Sequence, residues 1–283
     1  DHLFIDLQDV GTRIYTYIYT MTHILEKCAD KDIQVIILDR PNPVNCEDIE
    51  GNILDTKFSS FVGRHPMPVR HGMTMGEVAL MHQKFRGDKK CNFDIIEMKN
   101  YSRDMFFWDT KLPYVNPSPN LPTQEGCFTF IGTVLFEGTN ISEGRGTTRA
   151  LEQIGHPRLD SWALKEHFEK VFKQCNLDGF TLRAVNFHPM FQKHEHLTCG
   201  GYFIHPTDFK KFTPWKFAQV FLKEFRRLFP DDFHYNTNSY EYGESLQPID
   251  MINGTDKLRT WYESPKLNYS YLNELEQNII GIL

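Results

Sequence analysis

The chain has 283 residues, of which 40% are hydrophobic, 14% aromatic and 24% charged; this is the profile of a globular protein and excludes a disordered or collagen-like one. Its formal net charge is -6, and its 31 Lys and Arg are scattered along the chain, which argues against nucleic acid or an acidic membrane surface as the main partner. No apolar run approaches the ~18–20 residues of a membrane span, and the isolated cysteines form no C-x-x-C pair that would signal a zinc site or a disulfide scaffold.

Residues 3–10 (LFIDLQDV) read as a strand. A helix follows, in which Ile14, Tyr17, Ile18, Met21, Leu25 and Cys28 share a face at spacings of 3 and 4. The continuous apolar run at 35–38 is a second strand of the kind buried in a parallel sheet, so the opening β-helix-β unit implies a right-handed crossover. Thr74 and Glu77 have capping-box spacing ahead of a helix through Phe85, and FDIIEM (93–98) is a further strand. Four prolines make 112–123 a stiff irregular loop.

A strand is expected over roughly 128–136, ended by EGTNISEGRGTTR, whose glycines and small polar residues cannot continue a sheet; Thr147 or Thr148 would then cap a helix. Beyond residue 155 the pattern predicts a helix near 161–173, strands near 180–186 and 200–205, and a helix opening at Thr213-Pro214 that carries Phe217, Val220, Phe221 and Leu228 on one face. A weak helical signal lies near 270–280. Single cores tend to split near ~250–300 residues, so the expected organisation is two units, 1–155 and 156–283.

In open parallel sheets ligands bind outside the carboxyl ends of the strands. Three polar clusters follow expected strands, Gln8 to Arg13, Asp39 to Pro43 and Glu137 to Arg149, and they are expected to share one rim. Asn120 on the Pro-rich loop and His71 ahead of the Thr74 helix would close over it. Glu137 and Glu143 are two carboxylates on one loop, as glycoside hydrolysis requires, although on the pattern alone ordinary solvation or a salt bridge to Arg145 or Arg149 is the commoner explanation. Those two guanidiniums offer planar forks for an anionic substrate group or for anchoring the loop through Asp9 or Asp39.

Asp9 and Arg13 would shape the floor, Asn42 lies on the second cluster, and Tyr15 or Tyr19 is a candidate sugar-stacking platform, with Tyr17 assigned to the core. Asn140 and Asn120 would hydrogen-bond a sugar. Thr139, Asn140 and Ser142 together could instead form an anion nest for a sugar phosphate. His71 is read either as a general base or as a structural histidine donating to a carbonyl. His194-Glu195-His196 specifies little, because an extended H-x-H puts Glu195 on the opposite face. No G-x-G-x-x-G, P-loop or G-x-S-x-G motif occurs, so dinucleotide, P-loop nucleotide and serine-hydrolase readings lose their main support.

The segments DLQDVGTRIYTYIYTM, LDRPNPV, IEGNILD, SSFVGRHPMPVRHGMTMGE, PSPNLPT and FEGTNISEGRGTTR, in this order, closely resemble the NamZ-like exo-β-N-acetylmuramidase family, long catalogued as a domain of unknown function. The likeness is dense through about residue 155 and continues more loosely through FHPMF and CGGYFIH. It implies an α/β fold: a Rossmann-like parallel-sheet domain joined to a smaller α+β auxiliary domain, with the site in the cleft between them. It also implies release of N-acetylmuramic acid (MurNAc) from the non-reducing ends of peptidoglycan fragments, with no metal or other cofactor, in a secreted, cell-wall or periplasmic setting.

The lactyl carboxylate of that substrate would give Arg145 or Arg149 a partner. Family members carry a further segment ahead of the D-x-Q-D-V-G motif, including a Glu-His-Gly whose glutamate is the favoured catalytic residue. Nothing in this sequence corresponds to it, so the expectation is a Rossmann-like domain lacking its N-terminal part and weak or no hydrolysis by this chain alone. A muropeptide-binding module without catalysis is the alternative, and a sugar-phosphate or phosphate-ester binder ranks third.

Overall fold

The computed structural model describes residues 1–31, 33–85, 90–243 and 245–277. Strands β1 (His2–Ile5), β2 (Gln34–Leu38) and β3 (Phe93–Ile96) form a parallel sheet in the order β1-β2-β3, with Leu3 opposite Val35 and Val35 opposite Phe93. They alternate with helices α1 (Tyr17–Ala29) and α2 (Met75–Phe85), the expected β-α-β-α-β unit. Helix α1 buries Ile18, Met21, Leu25 and Cys28 against the sheet residues Ile5, Val35 and Ile37. The α2 capping box forms as expected: Thr74 N–H donates to Glu77 Oε2 at 2.9 Å, and Glu77 N–H donates to Thr74 Oγ1 at 3.3 Å.

The first strand is shorter than the expected 3–10. After Ile5 the chain leaves the sheet to serve loop contacts: Gln8 Nε2 donates to Pro41 O at 2.9 Å, and Gly11, at φ 76°, donates its N–H to Asp9 Oδ2 at 2.7 Å. The helix starts at Tyr17 rather than near Ile14, and the tyrosines sort differently from expectation. Tyr19 is fully buried with its hydroxyl on Arg13 O at 2.7 Å, whereas Tyr17 is only half-buried.

The largest departure is at 128–136, where a helix replaces the expected strand. Helix α3 (Gln124–Thr133) is capped by Thr123, whose Oγ1 accepts Gly126 N–H at 2.9 Å, and a 3₁₀ turn, Val134–Gly138, continues it. Every residue from Gly126 to Thr133 is buried, so the segment is covered all round and its pattern carries no period by which a strand could be told from a helix. Nor does Thr147 open a helix; its hydroxyl turns back onto Gly144 O, and strand β4 (Gln153–His156), unassigned from sequence, follows.

Strands β4, β5 (Phe180–Phe187) and β6 (Cys199–Pro206) form an antiparallel sheet in the order β4-β6-β5, with helices α4 (Lys165–Gln174) and α5 (Pro214–Leu228) where the sequence places helices. Helices α6 (Pro248–Asn253) and α7 (Lys257–Glu263) went unread, and α8 (Tyr271–Gln277) fits the tail signal; residues 278–280 of that expected helix lie outside the described residues.

The sheets part between β3 and β4, so the expected division after residue 155 falls within β4, a strand of the second sheet. The larger apolar core runs from Val10, Ile14 and Val44 through α3 to a stack of Phe168, Phe172, Phe217, Phe221 and Phe225 on α4 and α5. The loops leaving the parallel sheet are thereby packed into the body of the second half.

Candidate active site

The rim expected to be shared is divided between two concavities. One, of about 790 Å³, lies at the carboxyl ends of all three parallel strands and is lined by Asp6, Asp39, Arg40, Lys99, Tyr101 and Lys111 among others. The other, of about 160 Å³, collects distant segments: Ile14 to Thr16, Val62, the Pro-rich loop at Ser118 to Leu121, α3 and the turn after it with Glu137, then Arg145, and Tyr240 with Glu241. The Asp39 cluster therefore opens onto the first, while Glu137, Arg145, Asn120 and Tyr15 meet at the second.

Glu137 is the centre of the smaller pocket. The 3₁₀ turn ending α3 projects it, and its carboxylate pairs with the Arg145 guanidinium and accepts the Tyr240 hydroxyl at 2.5 Å. Arg145 Nε also contacts Glu143 Oε1 at 3.1 Å, and Lys193 Nζ donates to Glu143 Oε2 at 2.6 Å. These contacts make a chain of alternating charge. Burial opposes the Arg145 charge, but the Glu137 and Glu143 carboxylates more than offset it and hold its pKa above the ordinary value. Burial, then the Glu137 charge, push the Glu241 carboxyl above the usual carboxylate range, and burial first of all raises the Tyr240 hydroxyl well above its own. Tyr15 donates its hydroxyl to Pro117 O at 2.6 Å, tying the Pro-rich loop to the pocket wall.

Several candidate residues are placed elsewhere, with evident causes. Glu143 is buried behind the pocket and saturated by Arg145 and Lys193, so it does not face Glu137 across a substrate as expected. Arg149 is half-exposed on another surface, paired with Glu152 at 3.3 Å and lying over the Phe203 ring, so only Arg145 of the two guanidiniums reaches the pocket. Even there, both sides of its fork are taken by carboxylates.

Arg13 is no floor residue; it is fully buried and donates to the carbonyls of Asn52, Met67, Ile252 and Asn253. Asn140 binds the segment carrying Asp232 and His234 rather than facing the pocket, and its carbonyl accepts from His194 Nε2. The backbone N–H groups of Thr139, Asn140 and Ser142 already donate to the carbonyls of Phe136, His234 and Gly155, so they are spent as an anion nest. Asn42 likewise holds Val44 N–H and Met73 O.

His71 meets a carboxylate and not the backbone carbonyl that its structural reading expected. Met73 N–H donates to Nδ1 at 3.2 Å, so Nε2 carries the hydrogen and donates to Asp9 Oδ2 at 3.1 Å. The other Asp9 oxygen is buried without a hydrogen-bond partner among the described residues. His194 and His196 adopt positive φ, so the segment is a turn, and the extended geometry by which the H-x-H was weighed does not occur there. Sequence reasoning missed Tyr240, Glu241 and Lys193. Nothing in the Asn- and Tyr-rich tail or near the H-x-H marks them, because their roles arise from contacts 50 or more residues away along the chain.

Models of the N-terminal and C-terminal parts of the exo-beta-N-acetylmuramidase NamZ match residues 1–125 and 128–279. The chain is 41% identical over 281 residues to the peptidoglycan beta-N-acetylmuramidase NamZ of Bacillus subtilis (strain 168), covering 99% of this chain, and it spans 64% of that relative's length. Two crystal structures of DUF1343 family proteins from Bacteroides fragilis NCTC 9343 superpose with TM-scores of 0.86 and 0.72, at 25% and 29% identity, covering 98% and 99% of this chain and 74% and 72% of theirs. The motifs, the mixed α/β architecture and these matches agree that the chain belongs to the NamZ exo-β-N-acetylmuramidase family.

Proposed function

We propose that this chain acts on MurNAc-containing muropeptides as an exo-β-N-acetylmuramidase, releasing N-acetylmuramic acid from non-reducing ends. The observation that carries this reading is the pocket in which Glu137, held by Arg145 and Tyr240, stands beside Glu241, Asn120 and Tyr15. Two carboxyl groups in unlike surroundings suit the two tasks of glycoside hydrolysis. Glu137, beside a guanidinium, serves as the charged group that stabilises the developing positive anomeric centre. Glu241, held above the usual range, keeps its proton to higher pH and serves to protonate the leaving oxygen.

In this scheme Asn120 hydrogen-bonds the sugar and Tyr15 forms its flank. Arg145 meets the lactyl carboxylate only by exchanging it for Glu137. The activity belongs with its polymer, at the cell wall or in the periplasm, and feeds muropeptide recycling.

The test is release of chromophore from a MurNAc glycoside, run beside calorimetry with MurNAc-GlcNAc. Slow release by the wild-type chain that falls at least ~100-fold in Glu137→Gln supports the assignment. Binding without release would make the chain a muropeptide-binding module instead. The absence of both binding and release would overturn the reading.

A further inference from the structure

The pocket beside Glu137 is small for its proposed substrate, and its surroundings show where the remainder goes. Its volume of about 160 Å³ is below the roughly 300 Å³ at which pockets begin to enclose a drug-sized ligand, so it takes part of one sugar and leaves a second ring outside. Val62 and Glu241 line the pocket, and their chain neighbours Phe61 and Tyr242 meet edge to face just beyond, with ring centroids 5.6 Å apart at 79°. Tyr242 is 87% exposed, the most open large hydrophobic side chain among the described residues.

A tight turn holds Tyr242 there. Gly243 N–H donates to Tyr240 O at 2.8 Å, and the two central residues, Glu241 and Tyr242, have φ of 44° and 65°. Asn-Gly is the usual occupant of such a turn. Here it carries an acid that faces the pocket and an exposed aromatic ring that meets Phe61 edge to face. Phe61 is itself half-buried and stacks on the His23 ring of α1 at 6.4 Å.

We infer that Tyr242, backed by Phe61, is the stacking platform for the pyranose adjoining the one whose edge enters the Glu137 pocket. A pyranose presents an apolar C–H face that matches an aromatic face, while its hydroxyls stay in water, and tyrosine combines such a face with a polar tip. The inference rests on the saccharide reading of the pocket and extends it to a second ring.

Calorimetry on the intact chain tests it with MurNAc, MurNAc-GlcNAc and N,N′-diacetylchitobiose, the last lacking only the lactyl ether. Tyr242→Ala is expected to weaken disaccharide binding about 2- to 12-fold while the MurNAc dissociation constant stays unchanged. Tyr242→Phe should bind like wild type, because the ring and not the hydroxyl makes the contact. An unchanged disaccharide affinity, or equal losses for mono- and disaccharide, would overturn the platform and leave the muramidase reading intact. Diacetylchitobiose binding that depends on Tyr242, with no binding of either MurNAc ligand, would uphold the platform and overturn the muramidase reading. If no disaccharide binds, both fall.

Discussion

Glu137 and Glu143 lie six positions apart, carry the same group and share one guanidinium, yet they face different media. The short Val134–Gly138 turn directs Glu137 into the pocket, whereas Glu143 points inward to Lys193. Removing one partner from a buried charge cluster leaves the others uncompensated, so Glu143→Gln is expected to lower unfolding free energy by roughly 3 kcal/mol, read from urea denaturation. An unchanged midpoint would show that the Lys193 and Arg145 contacts contribute nothing to stability. The Glu137→Gln variant should show its main effect in turnover, and the pair of variants separates the two roles.

At the scale of elements, the packing of α3 against α5 constrains the sequence at one position. A Cβ built on Gly132 would lie 2.0 Å from the Pro214 carbonyl oxygen and 2.6 Å from its carbon, so the two helices meet at a distance only glycine allows. Backbone atoms cannot yield as a side-chain tip can. Although alanine is the better helix former by about 1 kcal/mol, Gly132→Ala is expected to destabilise by about 1–3 kcal/mol through overpacking. Stabilisation of the variant in the same urea assay would refute the close crossing. Because Glu137 sits at the end of the turn that continues α3, a shift of this helix should also disturb the pocket.

Across the whole molecule, buried polar groups tie the halves together. Arg13, next to the parallel sheet, reaches carbonyls at 52 and 67 and at 252 and 253, and burial draws its pKa down to about 10, still charged at neutral pH. His65 and His156 are both lowered to about 4, first by burial and then by the neighbouring ring, His82 for one and His194 for the other; Arg64 and Glu26 also face His65, and Asp232, Arg158 and His234 face His156.

The unfolded chain protonates these imidazoles near 6.5 and the folded chain only near 4. Between those values the unfolded state binds more protons, and stability falls as pH is lowered. Melting temperatures measured from pH 7 to 4 should therefore decline, and the decline should be shallower in His156→Phe. A slope equal to that of wild type would remove His156 from the effect.

What sequence alone determined is local. The β-α-β-α-β opening, the Thr74-Glu77 capping box, the α4, β5, β6 and α5 succession and the family motifs were legible because period, cap and spacing are properties of neighbouring residues. The uniformly buried run at 126–133 escaped because burial on all sides erases the period that separates helix from strand. The site followed the same division: carboxylates, guanidiniums, Asn120 and Tyr15 were visible as residue types. Which of Glu137 and Glu143 opens to solvent, that Arg13 turns inward, and that Tyr240 and Glu241 complete the pocket from a hundred residues away were decided by packing. Facing is a property of the assembled interior, and no stretch of chain encodes by itself which neighbour will cover it.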